Sequence, residues 1–112
     1  MTKTAPTKGA LGETEHHVLL AAARLGDAAH TVEIVREIER RTGRDVAPAA
    51  VYIALRRLER HKLVKSRMVT AAGDWRVRRQ FEVTEPGRRV LRASRERLLR
   101  LWDGLDPLWK AR

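Results

Sequence analysis

The feature of this sequence that most constrains its fold is a change in the character of its segments near residue 63. Before that point, three segments carry apolar residues at helical spacing, and each is bounded by residues that start or stop helices. Residues 63–70 and 75–83 are instead rich in Val, Phe, Trp and Arg and are separated by the turn sequence AAGD, which is typical of a β-hairpin. A long helical segment then begins near residue 84. The order predicts three short helices, a two-stranded hairpin and a long helix.

The boundaries of the three short helices are predicted from glycine, threonine and proline. Gly12 is the expected N-cap of the first helix and Gly26 its stop. Thr31 is the expected N-cap of the second helix, which Gly43 ends. Pro48 fits the first position of the third helix, where its missing N–H has no partner to lose.

The second hairpin strand alternates between apolar and polar residues, so one of its faces is expected to be buried. The residues expected on the packed side are Trp75, Val77, Phe81 and Val83, with Arg79 as an exception. Those on the other side are Arg76, Arg78, Gln80 and Glu82. Trp75 lies near the turn, where it could pack on the hairpin or contact a nucleic-acid groove or sugar, and we favour packing.

The last helix carries a row of leucines with spacings of three and four residues, which is typical of a helix that packs along a second helix. The row consists of Leu91, Ser94, Leu98, Leu101, Leu105 and Leu108. Packing against the first helix of the same chain is the alternative, but the row is longer than that contact could cover. We therefore predict a homodimer formed through Leu91, Leu98, Leu101 and Leu105.

These elements predict a mainly α fold with a small β-hairpin wing, in which a winged helix-turn-helix is followed by a long C-terminal dimerisation helix. A chain of 112 residues suits one such unit. The expected division is a flexible tail over residues 1–10, the winged helix-turn-helix over 11–84, and the dimerisation helix and tail over 85–112.

The charge of the chain favours a polyanionic partner, because 24 Lys and Arg stand against 14 Asp and Glu, a formal charge of +10. Other functions find no support in the sequence. It has no cysteine, no apolar run long enough to span a membrane, and no enzyme motif such as a P-loop, GxSxG or HExxH. The four histidines lack the spacing of a metal site. We expect no enzymatic activity, no metal, no cofactor and a cytoplasmic location.

The third helix has two different sides. Val51, Ala54, Leu55 and Leu58 fall on one side and suit a core, whereas Ala49, Tyr52, Ile53, Arg56 and Arg60 fall on the other. Small residues at the helix start would let its N–H groups approach phosphates and base edges, and arginines one turn later could reach phosphate or guanine. The alternative is an amphipathic helix with an exposed tyrosine and solvated arginines.

Four stretches resemble the PadR family of bacterial transcription regulators, and together they span Leu11 to about Leu105. LGETEHHVLLAAARLGD is similar to the first helix of the family, and VEIVREIERRTGRDV to the second helix with its glycine stop. VYIALRRLERHKLV resembles the recognition helix, and RVRRQFEVTEPGRRVL the second strand of the wing. The chain departs from the family pattern at Ala29-His30, where a Tyr–Gly pair is usual, at Ala47, where Ser or Thr is frequent, and at Gln80, where a tyrosine is usual.

The resemblance implies a dimeric DNA-binding regulator of the shorter subfamily, in which the third helix enters the major groove and the wing follows the DNA backbone. It also implies a contact at Tyr52. Phosphate contact by the wing arginines and lysine is our interpretation, although such charges could simply discourage strand pairing. The predicted DNA-contacting residues are Thr31, Pro48, Ala49, Ala50, Tyr52, Ile53, Arg56, Arg57, Lys65, Arg67, Arg76 and Arg78.

The predicted function is a sequence-specific, dimeric transcription regulator, acting as a repressor on a pseudo-palindromic operator in the bacterial nucleoid. Family members often respond to hydrophobic small molecules, which makes Trp102 and Trp109 candidates for an effector site between protomers. Interface core is the alternative role for both tryptophans. The rival function is a basic winged-helix module that binds protein, RNA or DNA without sequence preference.

Overall fold

The computed structural model describes residues 11–70 and 75–105, and in these ranges the elements follow the predicted order. They are α1 (Glu13–Leu25), a 3₁₀ turn (Gly26–Ala28), α2 (Thr31–Thr42), α3 (Pro48–Arg60), β1 (Val64–Thr70), β2 (Val77–Val83) and α4 (Glu85–Trp102). The strands form one antiparallel pair, in which Val64 lies opposite Val83 and Thr70 opposite Val77. The described part of the chain is therefore the predicted helical fold with a β-hairpin wing. The expected tail, the AAGD turn and residues 106–112 lie outside the described residues.

Most of the predicted helix boundaries are confirmed. Gly12 is the N-cap of α1, and Pro48 is the first residue of α3. Gly26 and Gly43 follow α1 and α2 directly. Gly43 adopts a left-handed conformation with φ of 70°, which a residue with a Cβ rarely tolerates. Glycine and proline mark these boundaries through their backbone preferences. Local sequence was therefore sufficient to predict where these helices begin and end.

The start of α2 differs from the prediction, because its N-cap is His30 and not Thr31, which is the first helical residue. Contacts with β2 explain the shift. The carbonyl of Ala29 accepts a hydrogen bond from Phe81 N at 2.9 Å, and Nδ1 of His30 donates to the carbonyl of Arg79 at 3.0 Å. These two bonds hold the chain extended at His30, so tertiary contacts set the helix start.

The core lies where α1, α2, α3 and the root of the hairpin meet. Its largest fully buried side chains are Phe81, Leu19, Ile34, Leu55, Leu58, Val18, Val51 and Val64. The predicted inner side of α3 is confirmed, because Val51, Ala54, Leu55 and Leu58 are all buried. With that side inside, the opposite side of α3 faces outward.

The second strand is buried on both faces at its root, which the predicted alternation missed. Phe81 and Val83 pack into the core as expected. Gln80 was expected on the outer face, yet it is buried, and its Nε2 donates to the carbonyl of Asp27 at 2.9 Å. The 3₁₀ turn after α1 therefore covers the face that the pattern assigns to solvent.

The tip of the hairpin extends beyond the core. The prediction that Trp75 packs on the hairpin is wrong, because 87% of its surface is exposed. Val77, also expected on the packed side, is more than half exposed, as is Met68 on the opposing strand. The alternation predicts the core-facing side of the strand correctly, but the core does not extend far enough to cover the residues at the tip.

The start of α4 is anchored to the short segment between α3 and β1. Thr84 is the N-cap and accepts a hydrogen bond from Gly87 N at 3.1 Å, while its own N–H donates to the carbonyl of Leu63 at 3.0 Å. A Cβ at Gly87 would lie 2.2 Å from that same carbonyl oxygen. The close approach of α4 to the hairpin root therefore requires glycine at this position.

Candidate nucleic-acid interface

The outer side of α3 combines small, apolar and basic side chains, all of them accessible. Ala49 and Ala50 are exposed in the first turn, and no side chain caps this end of the helix, because its N-cap is Ala47. Tyr52 is 44% exposed and Ile53 58% exposed. An apolar pair of this kind on an outward helix face has no role in the core. Both side chains are accessible from outside the chain.

The two arginines of this helix have different surroundings. Arg56 is exposed, and its Nε lies 3.9 Å from Oε1 of Glu59, too far for a hydrogen bond. Arg57 instead leans toward α1, where its Nη1 donates to Oε2 of Glu15 at 2.8 Å. Arg56 is therefore the more available of the two to an external anion.

Glu15 is fixed from two sides. Its Oε1 accepts a hydrogen bond from Gly12 N at 3.1 Å, while Oε2 accepts from Arg57. Burial alone would raise the pKa of this carboxyl, but the hydrogen bonds from Arg57 and Gly12 outweigh that effect and hold the pKa below its ordinary value. Glu15 is thus a charged anchor that joins α1 to the candidate recognition helix.

The wing carries four of the predicted contact residues. Lys65, Arg67 and Arg76 are exposed, and Nζ of Lys65 lies 3.8 Å from a carboxylate oxygen of its strand partner Glu82. Arg78 is half-buried, and its Nη2 donates to Oε1 of Glu33, in the first turn of α2, at 2.7 Å. This ion pair brings the wing beside the start of α2.

A chain of hydrogen bonds joins the wing to α3. Arg79 Nη1 donates to Ser66 Oγ at 2.9 Å, and Ser66 Oγ donates to Oε2 of Glu59 at 2.7 Å. The other oxygen of Glu59, Oε1, is buried without a hydrogen bond from any described residue. Arg79 and Ser66 lie on the two strands and Glu59 lies on α3, so these hydrogen bonds fix the wing relative to the helix.

The candidate interface therefore combines α2, α3 and the wing, which these hydrogen bonds and ion pairs hold in one arrangement. Thr31 is half-buried in the first turn of α2, the turn that also carries Glu33, and Pro48 is the first residue of α3. Sequence reasoning identified the basic residues but missed the carboxylates Glu15 and Glu33 that bind them. The sequence did contain a signal for the role of Glu59. Arg79 is a charged residue on the apolar side of its strand, so a polar partner inside the fold was to be expected, and Ser66 links it to Glu59.

The outer surface of α4 is apolar along the predicted leucine row. Leu91 is partly buried and packs against the core of its own chain. Leu98, Leu101 and Leu105 are exposed, and Leu101 is the most accessible at 73%. Trp102 is exposed to a smaller extent, whereas Trp109 lies outside the described residues. One end of the row thus contributes to the core and the other presents apolar surface.

Comparison with known proteins identifies the family. The sequence matches the transcriptional regulator PadR-like family over residues 19–93, about two-thirds of the chain. The chain belongs to the PadR-like family. It is accordingly a DNA-binding transcription regulator, and members of this family are not enzymes. The matched region runs from α1 through the wing and into α4, so it includes every described element that carries a predicted DNA contact.

Solved structures of similar shape support the winged-helix fold of this PadR-like chain. A PadR family transcription regulator from Clostridium difficile has a TM-score of 0.67 at 18% identity, with 89% of this chain and 97% of that chain covered. A PadR family regulator from Eggerthella lenta has a TM-score of 0.64 at 25% identity, covering 85% and 82%. A Streptococcus transcriptional regulator has a TM-score of 0.69 at 17% identity, covering 95% and 98%. Among curated proteins, none matches the sequence significantly.

The described residues lack two kinds of feature. No helix among them is both long and apolar enough to cross a membrane. In residues 11–70 and 75–105, no group of three or more His, Asp or Glu side chains is placed to hold a metal ion.

Proposed function

We propose that this chain is a sequence-specific repressor that binds operator DNA as a homodimer. The observation that carries the proposal is the outer side of α3, where exposed Ala49 and Ala50 precede an exposed Tyr52 and Ile53. Small side chains at a helix start allow close approach to base edges in the major groove. Uncharged side chains at these positions add little to non-specific attraction, which depends on positive charge.

The basic residues complete the contact with the DNA backbone. In this proposal Arg56 contacts phosphate or a guanine edge, and Lys65, Arg67 and Arg76 of the wing follow the neighbouring phosphates. The formal charge of +10 on a 112-residue chain supplies the long-range attraction. Thr31 and Pro48 lie at the starts of α2 and α3, where helix N-termini favour an anion.

The dimer rests on the apolar surface of α4. Leu98, Leu101 and Leu105 expose apolar surface that a second copy of the same helix would cover, while Leu91 joins this row to the core. A two-fold dimer would present two copies of α3, so the operator should be pseudo-palindromic with half-sites about one helical turn apart. Repression follows if the dimer occupies promoter DNA. Such a protein works in the bacterial cytoplasm, at the nucleoid.

A response to a hydrophobic small molecule is a further part of the proposal. Trp102 lies at the end of α4 beside the leucine row, and Trp109 follows it in the sequence. Both tryptophans are the proposed contacts of an apolar ligand. An apolar ligand bound there could change the distance between the two α3 helices, and with it the affinity for the operator.

The rival function is non-specific binding by a basic module, which the net charge of +10 alone would support. One binding experiment separates the two. The full chain is titrated, at one fixed salt concentration, with a duplex from the promoter upstream of its own gene and with a scrambled duplex of the same length and composition. The proposed function predicts a clear preference for the promoter duplex, and equal affinities would reject it.

A further inference from the structure

Two of the arginines that are predicted to contact DNA are already bound by carboxylates of the same chain. Arg78 of the wing donates to Glu33 of α2 at 2.7 Å, and Arg57 of α3 donates to Glu15 of α1 at 2.8 Å. Each pair joins elements that are distant in sequence, and neither carboxylate lies on the element of its arginine. The pairs therefore depend on the fold and not on local helix geometry.

These ion pairs occupy the guanidinium groups with the same chemistry that phosphate would use. A carboxylate and a phosphate both accept charge-assisted hydrogen bonds from the planar guanidinium fork. Both arginine side chains remain about half exposed, 41% for Arg78 and 51% for Arg57, so their outer N–H groups are accessible to a second anion. A duplex must share the arginine with the carboxylate or displace it.

We propose that Glu15 and Glu33 determine specificity by holding Arg57 and Arg78 back from DNA that does not place phosphates in the positions of the operator. In the correct complex, α3 is seated in the groove and phosphates lie close enough to take the arginines from their carboxylates. In a loose, non-specific complex they do not, and the arginines stay with the protein. This inference rests on the proposed function, because it concerns how the same interface rejects other DNA.

The proposal predicts a specific salt signature. The logarithm of affinity falls with the logarithm of salt concentration with a slope of about −0.9 for each phosphate neutralised. An arginine held by its carboxylate neutralises no phosphate in the non-specific complex. Glu33→Gln releases Arg78, so the slope on scrambled DNA should steepen by about 0.9. Between about 50 and 200 mM salt, that adds a further threefold to fourfold loss of affinity. On the promoter duplex, where Arg78 already binds phosphate, the slope should stay the same.

The experiment measures these slopes for the full chain on the promoter duplex and on the scrambled duplex. The variants are Glu33→Gln and Glu15→Gln, which keep the shape of the side chain and remove its charge. The matched control is Glu96→Gln, since Glu96 is exposed on α4 and lies opposite the leucine row. It changes the net charge equally without touching either pair. A double variant, Glu33→Gln with Arg78→Gln, tests whether the released arginine causes the effect.

The expected result has three parts. Glu33→Gln and Glu15→Gln steepen the slope on scrambled DNA beyond that of Glu96→Gln, the promoter slope does not change, and Arg78→Gln abolishes the effect of Glu33→Gln. If both variants behave as Glu96→Gln does while the parent chain still prefers its promoter, the inference is wrong and the proposed function stands. If the parent chain shows no preference, the proposed function fails and the specificity role fails with it. A loss of stability without a change in slope would mean that the pairs are structural, which also overturns the inference.

Discussion

Truncation of Leu101 should weaken the proposed dimer, and the structure sets the size of the effect. Leu101→Ala removes three carbons from a side chain that is 73% exposed in the single chain. At about 0.8 kcal/mol per buried methylene, and scaled by that exposed fraction, the loss is about 1.8 kcal/mol per protomer. A two-fold interface contains the substitution twice, so the dimer should lose about 3.5 kcal/mol, or roughly 300-fold in Kd.

Sedimentation equilibrium over a range of protein concentrations measures this change directly. The control is Arg100→Ala, which alters the preceding exposed residue on the side of α4 away from the leucine row. Because the side chain of Leu101 is mostly outside the core of its own chain, the helix content of the variant should stay that of the parent. A dimer Kd within about threefold of the control would refute the assignment of this surface to dimerisation. A parent chain that is monomeric at micromolar concentration would refute the dimer itself.

Three further predictions follow from the described contacts. Tyr52→Ala and Arg56→Ala should weaken promoter binding, measured by titration, without unfolding the protein, measured by calorimetry, because both side chains lie on the outward side of α3. Gly87→Ala should destabilise the fold by about 1–3 kcal/mol or more, measured by urea unfolding, since its Cβ would lie 2.2 Å from the carbonyl oxygen of Leu63. Hydrogen bonds from Arg41 and Arg40 hold the pKa of Glu37 below its ordinary value of 4.5, so this carboxylate stabilises the fold above that pH. Thermal stability should fall as the pH drops from about 4.5 through the lowered pKa, and it should fall less in Glu37→Gln.

The helices and their inner faces could be predicted from the sequence because their signals are local. Pro48 restricts its own φ to the helical range, and Gly43 permits the left-handed conformation that ends α2. The apolar spacing of α3 determines which of its sides turns inward. The start of α2 could not be placed in this way. His30 is held extended by its bond to the carbonyl of Arg79, a residue 49 positions away in sequence.

The hairpin shows where pattern reasoning fails. The alternation of apolar and polar residues predicts which side of a strand faces the core, and Phe81 and Val83 are buried on that side. It does not give the extent of the core, so Trp75 was expected to pack and instead lies beyond it. Nor does it reveal a second covering element, such as the 3₁₀ turn that buries Gln80 through the carbonyl of Asp27.

The basic residues of the candidate interface could be predicted from the sequence. The carboxylates that bind two of them could not. Basic residues in a helix and a hairpin are visible in sequence, since charge and spacing are local properties. The pairing of Arg57 with Glu15 and of Arg78 with Glu33 joins residues 42 and 45 positions apart. The first pair meets because α1 packs on α3, and the second because the wing lies beside the start of α2. These acids bind two of the arginines that are predicted to contact DNA.

The central claim is that two copies of α3, joined by α4, enter neighbouring major grooves of one duplex. Hydroxyl-radical footprinting of the full chain on the promoter upstream of its own gene tests it most directly. Binding by two joined α3 helices should give two protected patches related by two-fold symmetry, with centres about 10 base pairs apart, and Tyr52→Ala should weaken the protection of both. A single protected patch, or weak protection spread evenly along the duplex, would contradict it.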